Sequence, residues 1–327
     1  MAKKRLVSGM RTTGSLHLGH LEGTLKNWVA LQEEYDCFFF AAVWHAFTDR
    51  LKIDDLPSVI KEIIVDWLSV GIDPEKSVIF RQSAMYQHAE LCTILSNMTP
   101  LGWLERCPTF KDQVRDDDNR SSVSLGKLMY PVLMTSDIAV YKGEMVPVGR
   151  DQLPHLELSR EIIRRFNSQF GEILKEPEAK LSSVPLLLGI DNRKMSKSYD
   201  NGIYLRETPE TLKKKIQMMV TDPQRVRRND PGDPEVCTVY AYHKIYTPDR
   251  LDEIAQGCRT ASIGCRDCKM ILFERINAML EPFREKRAQI ESKSGYIEDV
   301  LHTGEKRAHE VAEKTMHEIR KAMGFLF

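Results

Sequence analysis

Apolar positions in the first half of the chain alternate between short continuous runs and longer helical periods. "KRLVSGM" reads as a short strand closed by Gly9, and "HLEGTLKNWVALQEEY" sets Leu21, Leu25, Trp28 and Leu31 on one side of a predicted helix. "CFFFAAVW" is an apolar run of strand length, "LPSVIKEIIVDWLSVG" is helical, and "SVIFRQS" is again a strand. "VPVGR" predicts one more strand, followed by the helix "DQLPHLELSREIIRRF", whose early proline suits a helix start. Strands alternating with crossover helices of this length predict a parallel sheet, hence an α/β layered domain.

After about residue 190 the period is helical throughout. "TPETLKKKIQMMV", "CRDCKMILFERINAMLEPFREKRAQIES" and "GEKRAHEVAEKTMHEIRKAMGF" predict helices, with the turn-rich "TDPQRVRRNDPGDPE" after the first. The polar loop "DNRKMSKSYDNG" has no apolar period and reads as a hinge. The expected organisation is a sheet domain over 1–190, a loop over 191–204 and an all-helical domain over 205–327.

Length and charge narrow the function classes. A chain of 327 residues is long enough for two domains. Its 47 basic and 47 acidic residues balance, which argues against coating nucleic acid by bulk charge and against a DNA partner, while allowing a local basic face. No apolar run approaches a membrane span, and the start "MAKKRLVSGM" has no apolar leader, so a cytoplasmic protein without a membrane partner is expected. In that reducing compartment, clustered cysteines point to metal or catalysis before crosslinking. Cys237, Cys258, Cys265 and Cys268 are spaced C-x20-C-x6-C-x2-C, a set that suits tetrahedral zinc or a 4Fe-4S cluster. Cys37, Cys92 and Cys107 are scattered and read as buried thiols.

Two short segments carry candidate chemistry. In "SGMRTTGSLHLGHLEG" a glycine-bearing turn feeds a helix start, where unpaired N–H groups and the helix dipole favour phosphate. His17 and His20 share a face there, and Gly19 would let a flat ring approach the backbone. The plain alternative is a pair of surface histidines. "KMSKS", residues 194–198, brings two lysines and small hydroxyl residues that could close over a triphosphate, or form an ordinary solvated loop.

Together, "HLGH" and a later "KMSKS" resemble the paired signature of class I aminoacyl-tRNA synthetases. The resemblance implies a Rossmann-like nucleotide-binding sheet, with the helical part on the anticodon side. ATP with Mg2+ would lie on Arg11, Thr12, Thr13, Gly19, His20, Lys194, Met195, Ser196, Lys197 and Ser198, and Leu186 would pack on adenine. His17, His20, Lys194 and Lys197 would act in catalysis, with Lys111 of "TFKDQ" near pyrophosphate. Thr12 stands where the family usually has proline.

The amino acid is read from "KLMYPVLMTSDIAVYKG". As a helix with Pro131 in its first turn, it sets Tyr130, Met134, Asp137 and Tyr141 on one face in apolar surroundings. A buried carboxylate needs a partner: a protein donor such as a backbone N–H or an arginine, or a ligand N–H such as that of indole. The stretch resembles the specificity helix of tryptophanyl-tRNA synthetases. Tyrosyl enzymes typically carry glutamine at Met134, and a thioether suits an indole face. The same resemblance gives Tyr130, His45 and Gln152 tryptophan-binding roles, and Gly149, Arg150 and Asp151 of "VPVGRDQ" nucleotide-binding roles. It also implies tRNA(Trp) and L-tryptophan as partners, a homodimer, and a chain complete to its terminal helix. A bacterial subgroup carries a similar cysteine pattern around a 4Fe-4S cluster, which is expected here ahead of zinc as a fastener of the helical domain. The basic clusters Lys213–Lys215 and Arg225, Arg227 and Arg228 could meet tRNA phosphates or be solvated faces. The expected activity is tryptophan–tRNA ligase; the alternatives are a tyrosyl counterpart and a non-catalytic RNA-binding paralogue.

Overall fold

A computed structural model describes residues 3–48, 51–108, 110–111, 123–181, 187–193, 195 and 199–326. Five parallel strands form one sheet: β1 Arg5–Arg11, β2 Asp36–Ala42, β3 Ser77–Arg81, β4 Met145–Val148 and β5 Glu178–Leu181, in the order β3-β2-β1-β4-β5. The helices of nine or more residues are α1 Leu56–Val70, α2 Tyr86–Ser96, α3 Leu125–Ala139, α4 Leu153–Phe170, α5 Pro209–Met218, α6 Thr238–Tyr246, α7 Leu251–Arg259, α8 Cys265–Glu291 and α9 Tyr296–Ala322. The parallel α/β fold expected from the sequence is present. Among the described residues no helix is long and apolar enough to cross a membrane.

The chain forms two compact units. The first comprises Met1–Thr13, Asn27–Ser183 and Lys293–Phe327; the second comprises Gly14–Lys26 and Val184–Ser292. This grouping differs from a simple division near residue 190, because "HLGH" belongs with the later helices and the last helix belongs with the sheet.

In the first unit the sheet is apolar on both faces, as an all-parallel sheet requires. On one face Phe39 stacks on Trp28 at 4.3 Å, and Trp67 of α1 meets Trp28 edge-on at 5.0 Å. On the other, Phe38, Phe40 and Phe80 join Tyr141 and apolar side chains of α2, α4 and α9 in one core cluster. Gly9 does not close β1, which runs on to Arg11. It sits opposite Phe40, whose ring would lie 2.3 Å from an added Cβ. The run "CFFFAAVW" leaves the sheet at Ala42, and Val43 opens a short helix, Val43–Phe47.

β3 is an edge strand, and α9 covers it. Covering an edge removes a template for stray pairing. The approach is close enough that a Cβ on Gly304 would fall 1.8 Å from the Ile79 carbonyl oxygen. Charged contacts fix the helix along its length: Arg81 with Glu305, Arg320 with Glu90, and Lys142 with Glu318. The expectation that this helix joins the C-terminal helical part is thus corrected, since its apolar stripe of Ala308, Ala312, Met316 and Ile319 is buried in the sheet's own core.

Gly304→Ala is expected to lower stability by about 3 kcal/mol, the upper part of the overpacking range, because the obstacle is backbone. Gly23→Ala, where an added Cβ meets nothing within 4 Å, should be neutral. Urea unfolding midpoints of the two variants check this; equal midpoints would contradict the packing described.

Candidate active site

Parallel strands all deliver their carboxyl ends to one edge of a sheet, the usual place for ligands in open α/β folds. In the first unit most of the sequence-predicted residues follow a strand end. Arg11, Thr12 and Thr13 end or follow β1, His45 follows β2, and Gly149, Arg150, Asp151 and Gln152 follow β4. Thr12 is fully buried and its hydroxyl has no hydrogen-bond partner among the described residues. Asp151 curls back over Gly149, so that a Cβ there would meet Oδ1 at 2.5 Å, and its Oδ2 accepts from Gln152 Nε2 at 2.8 Å. Lys111 is exposed, its N–H on the Cys107 carbonyl.

The centre of this unit's site is Asp137 on α3, 2% exposed. The helix starts earlier than expected, at a Ser124 cap that accepts from the Lys127 N–H, so Pro131 lies in the helix interior and not its first turn. Asp137 Oδ2 accepts from His45 Nε2 at 2.6 Å; Oδ1 accepts from His88 Nδ1 at 2.6 Å and from Gln82 Nε2 at 2.8 Å. The partners are therefore two imidazoles and an amide, neither a backbone N–H nor an arginine. Burial by itself pushes this carboxyl up, but the attraction and hydrogen bonds of His45 and His88 outweigh it and hold it below the ordinary aspartate range. The group is an ionised acceptor.

His45 Nδ1 is buried without a partner among the described residues. Tyr130 is half-buried, its ring 4.6 Å from His45 and 5.6 Å from His155. His155 is itself buried, bonded to Cys107 Sγ at 3.3 Å, and burial lowers its pKa so that it stays neutral. Met134, one turn before Asp137, packs against Ile138, Val146, Val148 and Leu156. The sequence reading missed Gln82, His88 and His155. Gln82 had a usable signal, a polar side chain directly after the carboxyl end of a strand.

In the second unit, "HLGH" opens with the short helix Leu18–His20. The His17 N–H donates to His20 Nδ1 at 3.2 Å. The Leu18 N–H donates to the Ile203 carbonyl at 2.9 Å, and the Leu205 N–H to Leu16 at 3.0 Å. Met195 of "KMSKS" stands beside this turn: a Cβ on Gly19 would lie 3.0 Å from the His17 ring and 3.7 Å from Met195 Sδ. The fold thus brings Met195 to the "HLGH" turn from far along the chain. Lys194, Ser196, Lys197, Ser198 and Leu186 lie outside the described residues.

Also in this unit, Lys213, Arg225, Arg227, Arg228 and Arg266 line a cavity of about 840 Å³ with Asp267 as its acid. Arg225 is nearly buried and donates to the Arg228 and Ile263 carbonyls, so it holds the wall. Lys215 pairs with Glu207 at 2.6 Å and does not line the cavity.

The metal expected on Cys237, Cys258, Cys265 and Cys268 is not supported. Among the described residues no group of three or more His, Cys, Asp or Glu side chains is arranged to hold one. The thiols have partners within the protein. Thr247 donates its hydroxyl to the His243 carbonyl and receives from His243 Nδ1, so His243 Nε2 is a lone pair that accepts from Cys268 at 3.2 Å. Burial, reinforced by the other three cysteines, pushes the Cys268 thiol up to about 12. Cys258 faces Arg225, and Cys237 and Cys268 pack against Tyr240, Ile254 and Ala255.

Comparison with known proteins identifies the family. The family model for class I tRNA synthetases of the W and Y group matches residues 2–281, and the chain belongs to that family. It is 47% identical over 327 residues to the tryptophan–tRNA ligase of Thermotoga maritima, covering 99% of this chain and 100% of that one. The Aquifex aeolicus tryptophan–tRNA ligase is 41% identical over 391 aligned residues, covering 98% and 99%. The tryptophanyl-tRNA synthetase of Campylobacter jejuni, solved with ADP and tryptophan, superposes with a TM-score of 0.86 at 35% identity, covering 98% of this chain and 99% of that one. Within the class, the chain falls among the tryptophan–tRNA ligases.

Asp137→Asn is expected to lower stability at neutral pH by roughly 2–5 kcal/mol, because donors shaped for an ionised carboxylate lose it. The folded pKa is depressed, so Asp137's contribution is complete above the ordinary aspartate value of about 3.9 and is lost as pH falls through the lower folded value. Urea titrations of both proteins should therefore differ most at neutral pH and converge only below about pH 4.

Proposed function

We infer that the chain activates L-tryptophan with ATP, as its magnesium complex, and passes the tryptophanyl group to tRNA(Trp). The observation that carries the amino-acid choice is Asp137, a buried ionised acceptor with an apolar thioether one turn away. Indole offers one N–H on a flat apolar body, whereas a phenol would ask for the polar amide that Met134 lacks. Tyr130, His45 and Gln152 complete the amino-acid contacts.

Chemically, a tryptophan carboxylate oxygen attacks the α-phosphorus and the bond to pyrophosphate breaks. A ribose hydroxyl at the tRNA terminus then attacks the carbonyl of the new mixed anhydride, forming an ester as AMP leaves. No covalent enzyme intermediate is needed; positioning and charge around the phosphates supply the catalysis. His17 and His20 act at the phosphates, and Lys194, Lys197 and Lys111 supply cations. Arg11, Thr12, Thr13, Gly19, Met195, Ser196, Ser198 and Leu186 hold the nucleotide, with Gly149, Arg150 and Asp151 at its ribose. Arg227 and Arg228 of the basic cavity meet tRNA phosphates. A homodimer belongs to the same reading.

Pyrophosphate exchange into ATP tests the reading: it should require tryptophan and ignore tyrosine, and the reverse would overturn it. Met134→Gln should raise the tryptophan KM about tenfold with the ATP KM unchanged, since an unpaired buried amide costs roughly 1–3 kcal/mol. Arg227→Ala combined with Arg228→Ala should raise the tRNA KM several-fold and flatten its salt dependence while sparing exchange. Unaltered tRNA charging in that variant would remove the cavity from the tRNA path.

A further inference from the structure

Asp137 has more donors than a ligand site needs for holding one carboxylate, and their distribution over its two oxygens is unequal. Each carboxylate oxygen has two lone-pair positions. Oδ1 receives both Gln82 Nε2 and His88 Nδ1 and is full, whereas Oδ2 receives His45 alone. We propose that His88 and Gln82 are positioning residues for tryptophan selection, which saturate Oδ1 of Asp137 and so reserve one lone pair, on Oδ2, for the indole N–H. This rests on the reading of Asp137 as the indole acceptor.

Both donors are fixed in identity and orientation. Gln82 is fully buried, and the Trp44 backbone N–H donates to its Oε1 at 2.9 Å. The amide can therefore present only its NH2 to Asp137. His88 is fully buried as well, its ring walled by Phe40, Phe80, Trp44 and Tyr141 at centroid distances of 5.3 to 6.2 Å. Its Nε2 lies 2.7 Å from the Tyr141 hydroxyl, which can donate to it. A phenol donating to Nε2 leaves the imidazole proton on Nδ1, the atom that faces Oδ1. Burial, with the charge of Asp137, raises the Tyr141 pKa well above its ordinary value and keeps that proton in place. Relay from Tyr141 through His88 to Asp137 thus sets which hydrogen points where. The role is separate from catalysis, since neither side chain needs to touch ATP or the reacting carboxylate.

The test compares tryptophan with β-(benzothiophen-3-yl)alanine, in which sulfur replaces the indole N–H. The ratio of their kcat/KM values in pyrophosphate exchange, measured on the full chain, reports the N–H contact alone. In wild type the ratio should be large, and in Asp137→Ala it should fall to near one. The amide of glutamine replaces a histidine donor at Nε2, and that of asparagine replaces one at Nδ1. His88→Gln should therefore lower the ratio about tenfold with the ATP KM unchanged, and His88→Asn should restore it to within about threefold of wild type. Gln82→Met, similar in volume, should lower the ratio too and serves if the His88 variants do not fold. Equal loss of both substrates in His88→Gln and Gln82→Met, with the ratio kept, would show that these residues only pack, and would overturn the positioning role. A wild-type ratio near one, or one untouched in Asp137→Ala, would instead sink the reading of Asp137 itself.

Discussion

An ionised carboxylate in a dry interior is the constraint around which the first unit is organised. Leaving Asp137 unpaired would cost several kcal/mol, so its donors must be in place whenever the protein is folded. They come from separate elements: His45 from the short helix after β2, Gln82 from the 3-10 turn after β3, and His88 from α2. Such convergence is available because parallel strands end on one edge. The same edge exposes the turn after β4, with Gly149 to Gln152. Sheet topology and site chemistry are therefore one arrangement: moving β2 or β3 by a residue would strand a charge.

The stability of that edge rests on packing far along the chain. α9 lies on β3 through Gly304, and its stripe of Ala308, Ala312 and Met316 shares a core with Phe40 and Phe80, whose rings also wall His88. A helix near the C-terminus thus helps keep β3, and Gln82 directly after it, in register. This explains why the first unit is discontinuous in sequence: the last helix supplies what an edge strand lacks.

Much of this was legible from residue periodicity, and the failures have physical causes. Leu21, Leu25, Trp28 and Leu31 are buried as their spacing requires. The strand runs were found because both faces of a parallel sheet are apolar. The end of β2 was misread because Val43 and Trp44 are as apolar as the strand before them, and periodicity cannot separate two short buried elements. Pro131 was placed in a first turn by its type; the Ser124 cap that starts α3 lies seven positions earlier and outside the apolar period. α9 is amphipathic, a pattern that states a face will be buried without stating against what. The cysteine spacing predicts a metal frame that is not supported among the described residues, and it does not show the thiols' own partners. His243, 25 residues from Cys268, gives that thiol a hydrogen-bond acceptor, a partner local sequence does not show. His88 was invisible for the converse reason, as a single histidine in an otherwise ordinary helix.

The division of hydrogen bonds on Asp137 bears on why a carboxylate, and not a neutral amide, would occupy this position in a tryptophan site. An amide has one accepting atom and one donating group, so it could receive Gln82 and His88 only by turning its NH2 toward His45, whose Nε2 would then have to accept. A carboxylate has only acceptors and can satisfy all three donors while keeping one lone pair. That remaining position tolerates only a donor, and indole supplies a single one. A substrate whose ring offers no N–H would leave the lone pair dry and unpaired, at a cost of roughly 1–3 kcal/mol that the competing amino acid cannot recover elsewhere in apolar surroundings. Selectivity would then come from the charge state and saturation of one buried group, with Met134 contributing by asking for no hydrogen bond at all.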